Sequence, residues 1–180
     1  MEGSIDVGFH FEAWYNRIIT EDVSALVQVI LTQAVVIFSK KDGGFQLSVQ
    51  QRVPKNIKEV FSFFETPKNL NLITPPWLNF KIIPPVPKSI YEGLDISYRL
   101  NLHKIPIYWK SRIIKYKKNE SFCDKQIFGP YLHWEHTHIF TSDKKNTIIE
   151  DVVNYKLLFG NIIHKLFVKK DLKNIFEYRY

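Results

Sequence analysis

Apolar and polar residues alternate along much of the second half of this chain, and a period of two marks a strand with one buried face. The alternation is plainest over 131–140. There Trp134, His136, His138 and Phe140 share one face, while His133, Glu135, Thr137 and Ile139 share the other. The same pattern predicts strands over 45–53, 78–83, 95–102, 107–116, 122–128 and 147–157. Most of their connections are short enough for hairpins, which predicts an antiparallel meander.

Helical spacing interrupts this pattern in the domain at two places. After Pro54, Asn56 and Glu59 stand at capping-box distance, and Ile57, Val60, Phe61 and Phe64 recur at helical intervals until Pro67. Residues 69–73 have room for one more short turn before Thr74-Pro75-Pro76 stops it. Near the end, Gly160-Asn161 opens a closing helix. Ile163, Leu166, Phe167, Val168, Leu172, Ile175 and Phe176 make its apolar stripe, with Lys165, Lys169, Lys170 and Lys173 elsewhere. The expected fold class is α+β: a strongly curved antiparallel sheet, two short helices, and a long C-terminal helix across its mouth.

Residues 1–43 read as an N-terminal extension to a domain over 44–180. Asp22 is placed to cap a helix through 23–38, yet the β-branched residues there suit a buried strand equally well. Lys40-Lys41-Asp42-Gly43-Gly44 punctuates the end of the stretch as a turn or linker. So apolar a run is costly to leave in water and is expected to pack on the domain or on a partner.

Composition narrows the class of function. At 180 residues the chain is long enough for one domain with a sizeable core. Its aromatic fraction of 15% suits a protein that walls a cavity, because Tyr and Trp pair a large apolar body with a polar tip. The net charge of +7 comes largely from lysine pairs at turns and on helix flanks, which reads as a solvated surface. No nucleic-acid-binding motif accompanies it, so no nucleic acid is expected as a partner. Cys123 is the single cysteine, which excludes an internal disulfide and a cysteine-based metal site. The run 23–38 is shorter than a membrane span and holds Gln28, Thr32 and Gln33. Glu12, Glu21 and Asp22 precede it where a signal peptide carries positive charge. A cytoplasmic location is therefore expected, with any contact to a membrane transient.

If Trp134, His136, His138 and Phe140 face inward, period-two alternation assigns the facing sets. These are Tyr98, Leu100 and Leu102; Trp109, Ser111 and Ile113; Phe122, Asp124 and Gln126; and Ile149, Asp151, Val153 and Tyr155. Buried without partners, the polar members would each cost about 1–3 kcal/mol, so they must pair with one another, with water or with a ligand. His136 and His138 admit three readings. They can hydrogen-bond to Asp124 or Asp151, bind a metal with one of those carboxylates as third ligand, or act with Asp151 as an acid–base set. The first is adopted, so neither a metal nor a cofactor is expected. Trp77, Trp109 and Trp134 read as core or cavity wall rather than as base-stacking platforms.

From residue 45 to 180 the chain resembles the SRPBCC (START-like, polyketide cyclase/dehydrase) superfamily, which includes birch-pollen-allergen-like and coenzyme Q-binding proteins. The resemblance is strongest to a bacterial branch. It rests on Val53-Pro54 before Val60-Phe61-Ser62-Phe63-Phe64, and on Asn69-Leu70 with Ile73-Thr74-Pro75-Pro76-Trp77. Tyr98-Arg99-Leu100, Leu102-His103, Ile105-Pro106, Trp109 and Gly129-Pro130-Tyr131 follow. Trp134 with His136-Thr137-His138, Glu150-Asp151, Tyr155, Phe159-Gly160, Asp171-Leu172 and Ile175-Phe176 with Tyr178 complete it. Lys104 stands where relatives often have glycine.

The resemblance implies a helix-grip fold, in which a seven-stranded sheet grips the C-terminal helix around an apolar cavity. Across the superfamily that cavity carries lipids, quinones, sterols or polyketides, and a minority of members are cyclases or hydrolases. The expected function is binding or transport of an apolar or amphipathic small molecule. Tyr98, Trp109, Ser111, Asp124, Gln126, Trp134, His136, His138, Phe140, Asp151 and Tyr155 are the candidate ligand-binding residues. The rival is a polyketide cyclase or aromatase-like enzyme using His136 or His138 with Asp151. A third reading is an interaction module in which residues 1–43 plug the cavity or meet a partner.

Overall fold

The computed structural model describes residues 35–179. Eight antiparallel strands form one sheet in the order β1-β2-β8-β7-β6-β5-β4-β3. They are β1 (Ile37–Lys41), β2 (Gly44–Val53), β3 (Lys81–Ile83), β4 (Asp95–Leu102), β5 (Ile105–Lys117), β6 (Ser121–Phe128), β7 (His133–Asp143) and β8 (Asn146–Lys156). Helix α1 (Ile57–Phe64) and single 3₁₀ turns at Pro67–Asn71 and Pro76–Leu78 link β2 to β3. The closing helix is α2 (Gly160–Ile163), a π-helical stretch at His164–Val168, and α3 (Lys169–Arg179). No helix among the described residues is long and apolar enough to cross a membrane.

Local chemistry accounts for these boundaries. Asn56 caps α1 by accepting from the backbone N–H groups of Lys58 and Glu59, and its amide donates back to the Glu59 carboxylate. Asp42-Gly43 and His103-Lys104 each turn a hairpin with two successive residues at positive φ, the geometry that matches the strands' right-handed twist. Register shifts between Lys110 and Ser111, and between Ile113 and Lys115, bend β5 against β6. Such bulges curl a sheet and give it a concave face.

Two apolar clusters fill that face. One, under the closing helix, gathers Leu47, Trp109, Trp134, Val153, Tyr155, Leu172 and Phe176. The other, under α1, gathers Val53, Val60, Phe61, Phe122, Phe140 and Ile149. Members of both clusters line the candidate site.

Several sequence-based expectations shift. The resemblance implies seven strands and the sheet has eight, because Ile37–Lys41, inside the stretch read as an extension, pairs with β2 along the edge. The part of the apolar run before residue 35 lies outside the described residues. The strand expected over 78–83 shrinks to Lys81–Ile83, since Asn79 at φ 44° ends the Pro76–Leu78 turn in the left-handed region. That turn buries Leu78 and leaves Trp77 exposed against Tyr178, so Trp77 is neither core nor cavity wall. In the closing helix, Leu166 and Phe167 are exposed while His164 is buried. The π-helical stretch fits an extra residue into the turn and rotates the expected stripe off the core.

Candidate functional site

Between the concave face, the segment after α1 and α3 lies a hollow of about 200 Å³. Its helical side is apolar, with Phe64, Leu70, Ile73, Leu172 and Phe176. On the sheet side, Tyr98, Leu100, Trp109 and Trp134 carry the apolar wall towards a polar floor of Ser111, Asp124, His136 and His138.

Strand register assembles that floor. Asp124 on β6 stands opposite His136 on β7, and His138 stands opposite Asp151 on β8. Because side chains two apart share a face, the two imidazoles lie side by side along β7, tilted by 37° with centroids 3.9 Å apart, each beside a carboxylate from a neighbouring strand. The His136 Nε2–H donates to Asp151 Oδ1 at 2.8 Å. His138 Nδ1 lies 2.6 Å from the same oxygen but out of hydrogen-bond alignment, and His138 Nδ1 and Asp151 Oδ2 make no hydrogen bond among the described residues. On the cavity side, Asp124 Oδ1 is 3.8 Å from His136 Nδ1 and 3.9 Å from His138 Nε2.

A second relay holds Asp124 from the side. Trp109 Nε1–H donates to Ser111 Oγ at 3.0 Å, and Ser111 donates to Asp124 Oδ2 at 3.1 Å. The Tyr98 hydroxyl is 3.2 Å from the same Ser111 oxygen. Every polar atom of Ser111 is thereby engaged.

Burial tunes these groups. Desolvation, and then the adjacent His136, hold the His138 imidazole below the usual histidine range, although Asp151 and Asp124 oppose them. Burial would push the Asp151 carboxyl up, but its two histidine neighbours outweigh that, so it sits below the usual carboxylate range and is ionised. Desolvation raises the Tyr98 phenol well above its ordinary value.

Of the candidate residues, the structure brings Tyr98, Trp109, Ser111, Asp124, Trp134, His136 and His138 together on the wall of the hollow. It does not bring Gln126, Phe140, Asp151 or Tyr155 there. Gln126 instead clasps the backbone of Tyr131, donating to its carbonyl at 2.7 Å and accepting from its N–H at 3.2 Å. Phe140 packs on Phe61 and Phe64 in the cluster under α1. Asp151 is fully buried behind the histidines. The Tyr155 hydroxyl is bonded to His164 at 3.0 Å beneath the closing helix. Alternation identifies the face of a strand, whereas curvature decides which part of that face a cavity reaches.

Arg179 was not foreseen. Its side chain lines the hollow, its guanidinium lies over the Phe176 ring at 5.0 Å, and its Nε has no hydrogen-bond partner among the described residues. Burial lowers its pKa against the pull of Asp151 and Asp124. The available signal was its position one helical turn beyond the inward-facing Phe176.

A curved antiparallel sheet closed by a C-terminal helix, with a hollow between them, defines a helix-grip α+β fold. Solved structures carry the same fold. A protein from Arthrobacter aurescens superposes with a TM-score of 0.63 at 11% identity, over 81% of this chain and 90% of that one. Protein Ms6760 from Mycobacterium smegmatis does so at 0.59 and 10% identity, over 81% and 92%. The major latex-like protein 151 of Panax ginseng does so at 0.55 and 13% identity, over 74% and 93%. No protein-family model matches the sequence, and no curated protein does.

Proposed function

We propose that this protein binds an apolar or amphipathic small molecule in the hollow, as a carrier or receptor rather than a catalyst. The observation that carries this reading is a partly buried cavity with an aromatic and aliphatic wall and a polar floor at one place, the usual build of a small-molecule site. Its volume of about 200 Å³ exceeds the roughly 150 Å³ that holds a benzene-sized guest. It falls short of the roughly 300 Å³ at which drug-sized pockets begin. A ring system or a length of acyl chain therefore fits, and a quinone, lipid or polyketide-like guest would leave its remainder outside. Trp109 and Trp134 supply apolar contact, while Ser111, Asp124 and the two histidines orient a hydroxyl or carbonyl.

Native mass spectrometry of the purified full-length chain tests this. A co-purified adduct of small-molecule mass, or saturable uptake of a quinone or fatty acid lost in Trp109→Ala, is the expected result. A chain that takes up no such compound overturns it.

The bond from His136 to buried Asp151 favours a second reading, acid–base catalysis of the cyclase or aromatase kind. It requires turnover of a polyketide-like substrate with a bell-shaped pH profile that His136→Ala abolishes.

A further inference from the structure

The polar floor presents a conflict that hydrogen bonding within the protein does not resolve. His136 sets Nε2 on Asp151 and turns its other ring nitrogen, Nδ1, to Asp124 Oδ1 at 3.8 Å. His138 sets Nδ1 against Asp151 and turns Nε2 to the same Asp124 oxygen at 3.9 Å. Two imidazole nitrogens and one carboxylate oxygen thus converge, all within 4.8 Å of one another.

We propose that Asp124 Oδ1, His136 Nδ1 and His138 Nε2 bind a divalent first-row metal ion such as zinc, and that Asp151 is the carboxylate that fixes both rings from behind. Against the expectation from sequence, hydrogen bonding accounts for one side of the His136 imidazole and for neither side of His138. Two imidazoles and a carboxylate on one face are a donor set that suits zinc, iron or cobalt. Metal-binding histidines as a rule donate their remote N–H to a carboxylate, and Asp151 stands within 2.8 Å of one remote nitrogen and 2.6 Å of the other. Asp124 is the most exposed of the three ligands, so it has the freedom to draw in. Bonds of about 2.0–2.2 Å require the three atoms to draw closer together than they stand. Ser111 holds the second oxygen of Asp124 and favours one-oxygen ligation. The remaining coordination positions face the hollow and would carry water. Among the described residues, Arg179 is the cationic side chain on the wall of this cavity.

This proposal does not depend on the hollow taking an organic guest, and its test uses none. The full-length chain is stripped with chelator and titrated with Zn²⁺ against a chromophoric competitor, with Co²⁺ as an absorbing substitute. One ion per chain is expected, with a rise in the thermal midpoint as the ion saturates. Asp124→Ala, His136→Ala and His138→Ala should each weaken binding at least about 10-fold, and Asp151→Asn by about 10–100-fold. His103→Ala, at the exposed His103–Asp171 pair, should leave it unchanged. Circular dichroism shows which variants fold. Should the buried variants fail to fold, X-ray absorption on the zinc-loaded parent chain decides. Two imidazole nitrogens with oxygen ligands support the site, whereas sulfur, a single imidazole or an all-oxygen shell overturns it. Sub-stoichiometric binding, or an affinity that survives both Asp124→Ala and His136→Ala, also overturns it.

Discussion

Asp151 and Asp95 show how differently one residue type behaves at two depths. Asp151 has no exposure, and its Oδ1 is 2.8 Å and 2.6 Å from nitrogens of two imidazoles that are themselves nearly enclosed. Removing the carboxylate strands the buried His136 N–H that donates to it, so Asp151→Ala should destabilise the fold by about 1–3 kcal/mol in urea unfolding. Asp95 faces water on the other side of the sheet, where Arg112 at 2.6 Å and Lys110 at 2.8 Å grip it. The Arg112 hydrogen bond, followed by that of Lys110, holds its carboxyl well below the usual carboxylate range. A carboxyl depressed by folding stabilises at pH above its unfolded value and loses that contribution as pH falls towards the folded one. The stability difference between the parent and Asp95→Asn should therefore be full at pH 7 and shrink below about pH 4. A constant difference down to pH 2 would count against the pairing. Cys123 is nearly inaccessible, and burial pushes its thiol up to about 11. At pH 8 it should react with a thiol reagent only when the chain is denatured.

Among the elements, those with a strict period and a chemical stop were legible. Strand β2, helix α1 and the β4–β8 meander fall within a few residues of expectation, because alternation, the Asn56 cap and the tight turns each act locally. What failed depends on neighbours: β1 needs the free edge of β2, and the π-helical stretch needs the core that buries His164. His164 stacks on Phe45 at 3.8 Å, a contact across more than a hundred positions of sequence that no local pattern carries, while its ring nitrogen meets the Tyr155 hydroxyl. The His103-Lys104 turn gives a test at this scale. Lys104 holds φ 69° in the two-residue turn between β4 and β5, in the left-handed region where a Cβ is unfavourable. Lys104→Gly should therefore stabilise the protein by about 0.5–1 kcal/mol, read as a higher urea midpoint at unchanged slope.

For the whole molecule, the floor and wall of the hollow were legible in part because β6, β7 and β8 pair in the register that alternation implies. The depth of each residue was not, since bulges in β5 set where the sheet curls. The same curvature determines what the cavity is for. Were the hollow only a packing defect, filling it would recover contacts at little cost to anything else. Leu100 is buried on its wall, and Leu100→Phe places extra ring volume into that space. If the space serves a guest, two readouts must separate. The unfolding midpoint should hold or rise, because added atoms meet open volume rather than a filled core. Uptake of an apolar fluorescent probe should fall at least about 10-fold, because the probe and the new ring compete for one place. Parallel titrations of the parent and the variant, with the probe followed by fluorescence and folding by urea, measure both. Probe uptake that Leu100→Phe leaves intact would place the guest somewhere other than this hollow.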